Sequence, residues 1–133
     1  MNINFDNNIP VYIQLLDYLK TCIISGQFEL GEKLPSVREF SGIFKVNPNT
    51  MQKALIELEE QKLIYTERTN GKFVTNDKKI VEKLKKEYAQ NIVNKYFDDM
   101  KKIGIDKTDA LNYLDRKEWF NAIRNKERIK KLW

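Results

Sequence analysis

Two helix-start signals stand eleven residues apart in the first half of the chain, which leaves room between them for only a short helix and a tight turn. The first is SVRE, which has the form of a capping box: Ser36 accepts from the backbone N–H of Glu39, and Glu39 reaches back. The second is Asn47 followed by Pro48, a good N-cap and a residue with no N–H to leave unsatisfied in a first helical turn. This spacing predicts two consecutive short helices.

Apolar residues at spacings of three and four predict helices on both sides of this turn. The short helix has an apolar face made of Val37, Phe40, Ile43 and Phe44. The next helix, from Pro48 to about Gln61, carries a narrow stripe of Met51, Ala54, Leu55 and Leu58. A preceding helix, from about Pro10 to Ser25 with Gly26 as its stop, carries Tyr12, Leu15, Leu16, Leu19 and Ile23. The link GQFELGEKLP between the first two helices is predicted to be a loop.

A β-hairpin is predicted directly after the third helix. Residues 63–66 (LIYT) and 73–75 (FVT) favour strands, and Asn70-Gly71 between them is a strong short-range hairpin signal. Three helices followed by a hairpin is the element order of a winged helix-turn-helix.

The pattern is helical again from Asp77. An apolar stripe with spacings of three and four continues for about 27 residues, and it consists of Val81, Leu84, Tyr88, Ile92, Tyr96, Met100 and Ile103. Gly104 ends this helix, and Thr108 or Asp109 could cap another that carries Ala110, Leu111 and Leu114. The predicted fold is mainly α with a small β-hairpin. A winged helix-turn-helix domain occupies residues 1–76, and a short helical dimerisation region with a basic tail occupies residues 77–133.

Composition argues against catalysis. The chain has no histidine, so the usual general base and the usual metal ligand are missing, and Cys22 is the single cysteine. The carboxylates of Asp98-Asp99 and of Glu59-Glu60 are adjacent in sequence, so on a helix they do not face one another. We therefore expect no enzyme activity, metal or cofactor.

Hydropathy and charge limit the location and the partners. No run approaches the ~18 apolar residues of a membrane span, no secretion signal is visible, and a cytoplasmic location is expected. The net charge is +5, but residues 1–76 hold eight Lys and Arg against nine Asp and Glu. Residues 77–133 hold sixteen against ten. A nucleic-acid role for the first half therefore depends on where its charges point.

The start of the third helix is polar on its outward side. Asn49 and Gln52 can pair in bidentate fashion with adenine, and Lys53 can donate to guanine. Thr50 can donate to a phosphate, and the free N–H groups of the helix start favour anions. A recognition helix enters DNA by its N-terminal residues, so this pattern predicts a double-stranded DNA partner.

Residues 34–74 (LPSVREF to GKFV) resemble the DNA-binding domain of the GntR family of bacterial transcription regulators. The likeness extends over about residues 9–75, and VNPNT and the short C-terminal part are similar to the small YtrA-type branch. The matching residues are Leu34, Pro35, Ser36, Arg38, Val46, Asn47, Thr50, Ala54, Leu55, Leu58, Gly71, Phe73 and Val74. The resemblance implies a homodimer that binds an operator, often as a repressor of a transporter operon.

The resemblance also implies residue roles. Arg38 would contact DNA from the second helix, and Arg68 with the wing tip would meet the minor groove or its phosphates. The predicted DNA-binding set is Ser36, Arg38, Asn47, Pro48, Asn49, Thr50, Gln52, Lys53, Arg68, Thr69, Asn70, Gly71 and Lys72. The predicted dimer interface is Val81, Leu84, Tyr88, Ile92, Tyr96, Met100, Ile103, Leu111 and Leu114.

The chain departs from the family pattern at four positions. Lys62 replaces a usual glycine, Ser41 replaces a common alanine, and Pro48 stands where some relatives carry arginine. Thr69 replaces a usual wing glycine, and a β-branched residue resists positive φ. The changes at Lys62 and Ser41 are expected to be tolerated, whereas Thr69 raises the question of which conformation the wing tip adopts.

Two other functions stay open from the sequence. The first is a winged helix that binds a protein and never touches bases. The second concerns residues 116–131, which hold seven Lys and Arg against two Glu, with Trp119, Phe120 and Ile123 at helical spacing. This tail could support the dimer, add unspecific attraction to DNA, or associate with a membrane or RNA. The operator, the regulated genes and any small-molecule effector are not predicted.

Overall fold

The computed structural model describes residues 1–114, and the basic tail at residues 116–131 lies outside these residues. The chain divides into two compact units, residues 1–86 and the residues from 87 onward. The elements along the chain are α1 (Val11–Ile24), α2 (Val37–Phe44), α3 (Pro48–Glu60), β1 (Ile64–Glu67), β2 (Gly71–Val74), α4 (Lys78–Lys102) and α5 (Lys107–Asn112). This order confirms the predicted mainly α fold with one hairpin.

Helix α1 begins one residue later than predicted, because Pro10 is its N-cap and not its first residue. Pro10 has an extended backbone, with φ −53° and ψ 135°, and no side-chain cap. The side chain of Gln14 secures the approach to the helix instead. Its Nε2 donates to the carbonyls of Asp6 and Ile9 at 2.8 and 2.9 Å, and its Oε1 accepts from the Asp6 N–H at 2.8 Å.

Both helix starts of the helix-turn-helix are confirmed. The Ser36 hydroxyl accepts from the Glu39 N–H at 3.1 Å, and the Glu39 carboxylate accepts from the Ser36 N–H at 3.2 Å. The Asn47 side chain accepts from the Asn49 N–H at 2.8 Å, and Pro48 is the first residue of α3. Both helices are therefore fixed at their first turn by local hydrogen bonds, as the sequence predicts.

The apolar face of α2 differs from the prediction at one position. Ile43 is exposed, whereas Ser41 is buried. The reason is helical geometry: positions 37, 40, 41 and 44 form one face at spacings of three and four, and position 43 lies off that face. The Ser41 hydroxyl donates to the Val37 carbonyl at 2.7 Å, so its burial leaves no unsatisfied polar group, which explains how a serine replaces alanine here.

The core of the first unit lies between α1, α2, α3 and the hairpin. Its fully or almost fully buried side chains include Leu15, Leu19, Phe40, Met51, Ala54, Leu55, Leu58, Leu63, Ile64 and Val74. Val81, on the first turn of α4, belongs to the same core, and Leu84 packs against it. Cys22 is also buried there, and burial raises the pKa of its thiol. α3 thus has one face anchored in the core.

The hairpin is confirmed, but its turn is longer than the Asn-Gly pair alone suggests. Glu67 pairs with Gly71, which leaves a three-residue loop, and the Asn70 N–H donates to the Glu67 carbonyl at 3.2 Å. Gly71 has φ +103°, whereas Asn70 and Thr69 lack positive φ. This is the pattern of a turn closed by a glycine. Thr69 therefore adopts an ordinary backbone conformation, and the question raised by its β-branch is resolved.

The predicted loop before α2 contains a short third strand pairing. The Val74 N–H donates to the Glu32 carbonyl at 2.9 Å, the Leu34 N–H donates to the Lys72 carbonyl at 2.8 Å, and Lys33 lies opposite Phe73. Residues 32–34 therefore lie along the outer edge of β2. This pairing fixes the start of α2 beside the hairpin, which we call the wing (residues 64–74).

In the second unit α5 begins earlier than predicted. Its N-cap is Asp106, whose carboxylate accepts from the Asp109 N–H at 2.8 Å, in place of Thr108 or Asp109. Asp106 is an equally good capping residue, and it directly precedes the helix. The Tyr96 hydroxyl donates to the carbonyl of the buried Ala110 at 2.6 Å, which ties α5 to α4 inside this unit. Within residues 1–114 no helix is long and apolar enough to cross a membrane.

Candidate nucleic-acid interface

Helix α3 has one buried face and one polar face. Its buried residues are Met51, Ala54, Leu55 and Leu58. Asn49 and Gln52 are exposed at its first turns, Thr50 is half-buried between them, and Pro48 is exposed at its start. Within the described residues, the Asn49 and Gln52 side chains make no hydrogen bond. These two amides are therefore available to a ligand on a helix whose position is fixed by the core.

Lys53 differs from the two amides on the same face. It is exposed, but its ammonium lies over the ring of Tyr12 in α1, 3.8 Å from the ring centroid. This distance is typical of a cation–π contact, which contributes about 0.5–1 kcal/mol at an exposed site. Lys53 is thus held toward α1, and a base contact by Lys53 would have to compete with Tyr12.

A second polar surface forms between the wing and the start of α2. The two elements enclose an open cleft of about 530 Å³, which we call the wing cleft. Its lining residues are Lys33, Leu34, Ser36, Val37, Arg38, Glu39, Thr66, Glu67, Arg68, Thr69, Asn70, Gly71 and Lys72. Arg38 and Arg68, which are thirty residues apart in sequence, therefore contribute to the same cleft.

The wing cleft is more basic than the domain around it. Four of the eight Lys and Arg in residues 1–76 line it, against two of the nine Asp and Glu. Both acids are engaged: Glu39 completes the capping box, and Glu67 accepts from the Asn70 side chain at 3.0 Å. The first half of the chain has a net charge of −1, yet its cations concentrate where a polyanion could enter.

Two of the predicted wing side chains already have partners within the protein, and of these only Lys72 is largely covered. The Lys72 ammonium donates to the Thr66 hydroxyl at 3.0 Å and lies 3.8 Å from the Glu59 carboxylate, with its side chain only 18% exposed. The Asn70 amide is held on Glu67. Arg68, Thr69 and Gly71 remain exposed at the wing tip. Ser36 and Asn47 are exposed too, although their side-chain oxygens already serve as helix caps.

Lys33 is absent from the sequence-derived set but lines the cleft beside Arg38 and Arg68. The sequence gives it no distinguishing mark, because it lies in a stretch that reads as a loop. Its position depends on the pairing of residues 32–34 with β2, which lies about forty residues further along the chain. A contact at that separation has no local sequence signal.

The residues predicted to form a dimer interface fall into three groups. Val81 and Leu84 contribute to the core of the first unit. Tyr88, Tyr96 and Met100 are half-buried. The remaining four are exposed apolar side chains: Ile92 (69%), Ile103 (72%), Leu111 and Leu114. A partner surface would therefore have to cover mainly the last group.

The pair α2 and α3 forms a helix-turn-helix, and α3 exposes a polar face beside a hairpin with a basic cleft. These features define the class of winged helix-turn-helix DNA-binding proteins. The sequence model of the family described as "Bacterial regulatory proteins, gntR family" matches residues 11–74. The Bacillus subtilis protein named "Uncharacterized HTH-type transcriptional regulator YhcF" is 32% identical over 111 residues, which cover 84% of this chain and 92% of that relative. The chain belongs to the GntR family of bacterial transcription regulators.

Further relatives agree with this assignment. The "HTH-type transcriptional repressor YtrA" of Bacillus subtilis is 38% identical over 73 residues, 55% of this chain and 56% of the repressor. A solved GntR family regulator from Listeria monocytogenes has a TM-score of 0.77 and 40% identity, covering 83% of this chain and 96% of its own. The DNA-binding domain of AraR in complex with operator ORX1 has a TM-score of 0.52 and 25% identity over 56% of this chain and 95% of its own.

These comparisons confirm four expectations from the sequence. The family resemblance and the winged helix-turn-helix fold are correct. The chain is a DNA-binding transcription regulator, and membership of this family identifies it as a protein other than an enzyme.

Proposed function

We propose that this regulator is a cytoplasmic repressor that binds a palindromic operator as a homodimer, with α3 in the major groove. The observation that carries the proposal is the exposure of Asn49 and Gln52 on a helix whose other face is fully buried. Such a helix can lie in the groove without loss of core contacts. Repression is supported by the similarity to a relative that is named as a repressor.

In this proposal the contacts divide by type. Asn49 and Gln52 read base edges, because an amide offers both a donor and an acceptor. Thr50 and the start of α3 bind a phosphate. Arg38 and Arg68 contact the sugar–phosphate backbone of DNA that passes through the wing cleft. Within residues 1–114 neither arginine makes a salt bridge, so both are available for this contact. Lys53 contributes less than the amides, because Tyr12 already holds its ammonium.

The proposal assigns DNA binding to residues 1–76 and dimerisation to residues 77–133. One winged helix covers only a half-site, and a symmetric dimer reads two half-sites about one turn, ~34 Å, apart. The exposed side chains of Ile92, Ile103, Leu111 and Leu114 support this role, because a set of large apolar side chains in water favours association.

The test of base readout is a binding titration of the full-length protein with DNA from upstream of its own gene and with random DNA. Asn49→Ala or Gln52→Ala should cost about 1–3 kcal/mol on the operator and little on random DNA. Gln61→Ala is the matched control, since it removes an exposed amide at the other end of the same helix. Equal losses on both DNAs would show that the two amides make only backbone contacts.

A measurement in cells tests whether the protein represses or activates transcription, and which genes it controls. The family resemblance implies a nearby transporter operon, and deletion of the gene should raise the transcripts of a repressed operon. A fall in those transcripts would identify an activator. Failure of the intact protein to bind any upstream DNA would instead support the alternative of a protein-binding winged helix.

A further inference from the structure

We propose that Lys33 makes a further DNA contact, to a backbone phosphate at the wing cleft, and that Lys72 is a positioning residue of the wing. The inference rests on the proposed function, since it concerns the same DNA. The two lysines line one cleft and lie on adjacent paired segments, yet the structure gives their ammonium groups different surroundings.

Backbone pairing fixes the position of Lys33, and its ammonium takes no part in this. It lies opposite Phe73, and the Leu34 N–H that follows it donates to the Lys72 carbonyl at 2.8 Å. Its Cε atom lies 3.5 Å from the position that a Cβ atom would occupy on Gly71, so the aliphatic stem runs beside the wing tip. The residue is exposed, and within residues 1–114 its ammonium makes no salt bridge or hydrogen bond.

Lys72, in contrast, is fixed by contacts of its ammonium group. Its ammonium donates to Thr66 on the opposite strand at 3.0 Å and lies 3.8 Å from Glu59 in the last turn of α3. The Glu59 contact links the wing to the helix proposed to enter the major groove. A phosphate contact by Lys72 would require both of these interactions to break, which opposes it. The same interactions would keep the wing at a fixed angle to α3.

A phosphate is the ligand that suits Lys33. A lysine ammonium acts as a point charge with three donors and carries no base preference by itself. Phosphates supply a large share of the hydrogen bonds in protein–DNA complexes, and those contacts set orientation. Lys33, Arg38 and Arg68 line one cleft from three segments of the chain, so a sugar–phosphate strand passing through it would meet three cations.

The first experiment measures the salt dependence of binding by the full-length protein to operator and to random DNA. Lys33→Gln should weaken both by a similar factor and reduce the slope of log K against log salt by about 0.9, the value for one lost phosphate contact. Lys20→Gln is the control, because Lys20 lies on α1 outside the cleft lining. Lys72→Gln should leave the slope unchanged.

A Lys33→Gln slope equal to that of the wild type would overturn the phosphate contact, provided that the wild type binds the operator. Absence of wild-type binding would overturn both this inference and the proposed function. The two failures are therefore distinguishable in one set of titrations. Circular dichroism of each variant checks that the fold is intact, and Lys33 is suited to this test because its side chain is exposed.

The second experiment tests the positioning role of Lys72 through Glu59. Lys72→Glu alone should weaken operator binding, and addition of Glu59→Lys should restore most of the loss, because the reversed pair re-forms the link between wing and helix. If Lys72 contacts phosphate, the reversed pair leaves a carboxylate at the DNA and no recovery follows. Lack of recovery would therefore overturn the positioning role.

Discussion

The two units of the chain use their apolar residues in opposite ways. In residues 1–86 most of the large apolar side chains of three helices and a hairpin converge on one core, and those that stay outside it, such as Ile43 and Ile56, are less than half exposed. In residues 87–114 only Ala110 is fully buried, while Ile92 and Ile103 are about 70% exposed. The first unit therefore buries enough apolar side chains to form its own core. The second unit leaves apolar side chains exposed, and they could be covered only by another protein surface.

This difference follows from element geometry. Helices that cross each other and a hairpin can enclose side chains from several directions, and each buried Leu or Phe contributes about 1.5–3 kcal/mol. A long helix with one short helix beside it encloses few residues. The core of the first unit sets its stability, whereas the exposed apolar side chains of the second unit are the surface on which the proposed dimer depends.

The largest expected effect is a core truncation in the first unit. Leu55→Ala should lower the free energy of unfolding by about 2–5 kcal/mol, because Leu55 is completely buried and its loss leaves a cavity. Urea denaturation of the full-length protein measures this. The neighbouring residue is the control: Ile56 is exposed, so Ile56→Ala should cost much less. Similar losses for both variants would contradict the assignment of α3's buried face.

The next largest effect is expected for charged substitutions at the exposed isoleucines of the second unit, which should weaken dimerisation. If the proposed dimer forms through this surface, Ile92→Glu or Ile103→Glu should dissociate it while the first unit keeps its unfolding midpoint. Each isoleucine counts twice in a symmetric interface, so the loss should reach about 3 kcal/mol, more than a hundredfold in the dimer dissociation constant.

Sedimentation at micromolar concentration measures the assembly state, and Asn91→Glu is the control, since it adds the same charge at an exposed polar position of α4. A wild-type monomer, or a dimer that tolerates Ile92→Glu and Ile103→Glu, would show that this surface is not the interface.

Removal of a helix cap should lower stability by a similar amount in each of the two units. Asn47→Ala and Asp106→Ala each remove one side-chain cap and should cost about 1 kcal/mol. Asn47→Ala should lower the stability of the first unit and weaken operator binding, whereas Asp106→Ala should leave the first unit unchanged. Urea denaturation and DNA titration measure both, and Asn47→Ser, which keeps a capping oxygen, is the control. A loss of first-unit stability from Asp106→Ala would show that the two units unfold together.

What could be predicted from the sequence was mostly local. The starts of α2 and α3 depend on hydrogen bonds within three residues of Ser36 and Asn47, so their residue types alone indicate them. The wing cleft could not be predicted, because Lys33 reaches it through pairing with a strand forty residues away. The inward turn of Lys72 was equally hidden, since it depends on where the end of α3 places Glu59.

Lys62 lies between these cases. The family resemblance marks it as a lysine where relatives carry glycine, and the structure supplies the reason, since its φ is +62°. The Lys62 N–H donates to the Glu59 carbonyl at 2.9 Å, and the next N–H, of Leu63, donates to the Leu58 carbonyl at 3.0 Å. This pair of bonds is the Schellman motif that ends a helix, and its left-handed position favours glycine.

The smallest effect should therefore be a gain. Lys62→Gly should raise the free energy of unfolding of the first unit by about 0.5–1 kcal/mol, because glycine adopts a positive φ at no steric cost. The larger entropy of glycine in the unfolded chain opposes this gain and keeps it small. Urea denaturation measures the change. Lys62→Ala separates the causes, since it removes the charge but keeps the Cβ atom that disfavours this conformation. A gain from Lys62→Ala as large as that from Lys62→Gly would assign the effect to charge and not to the backbone.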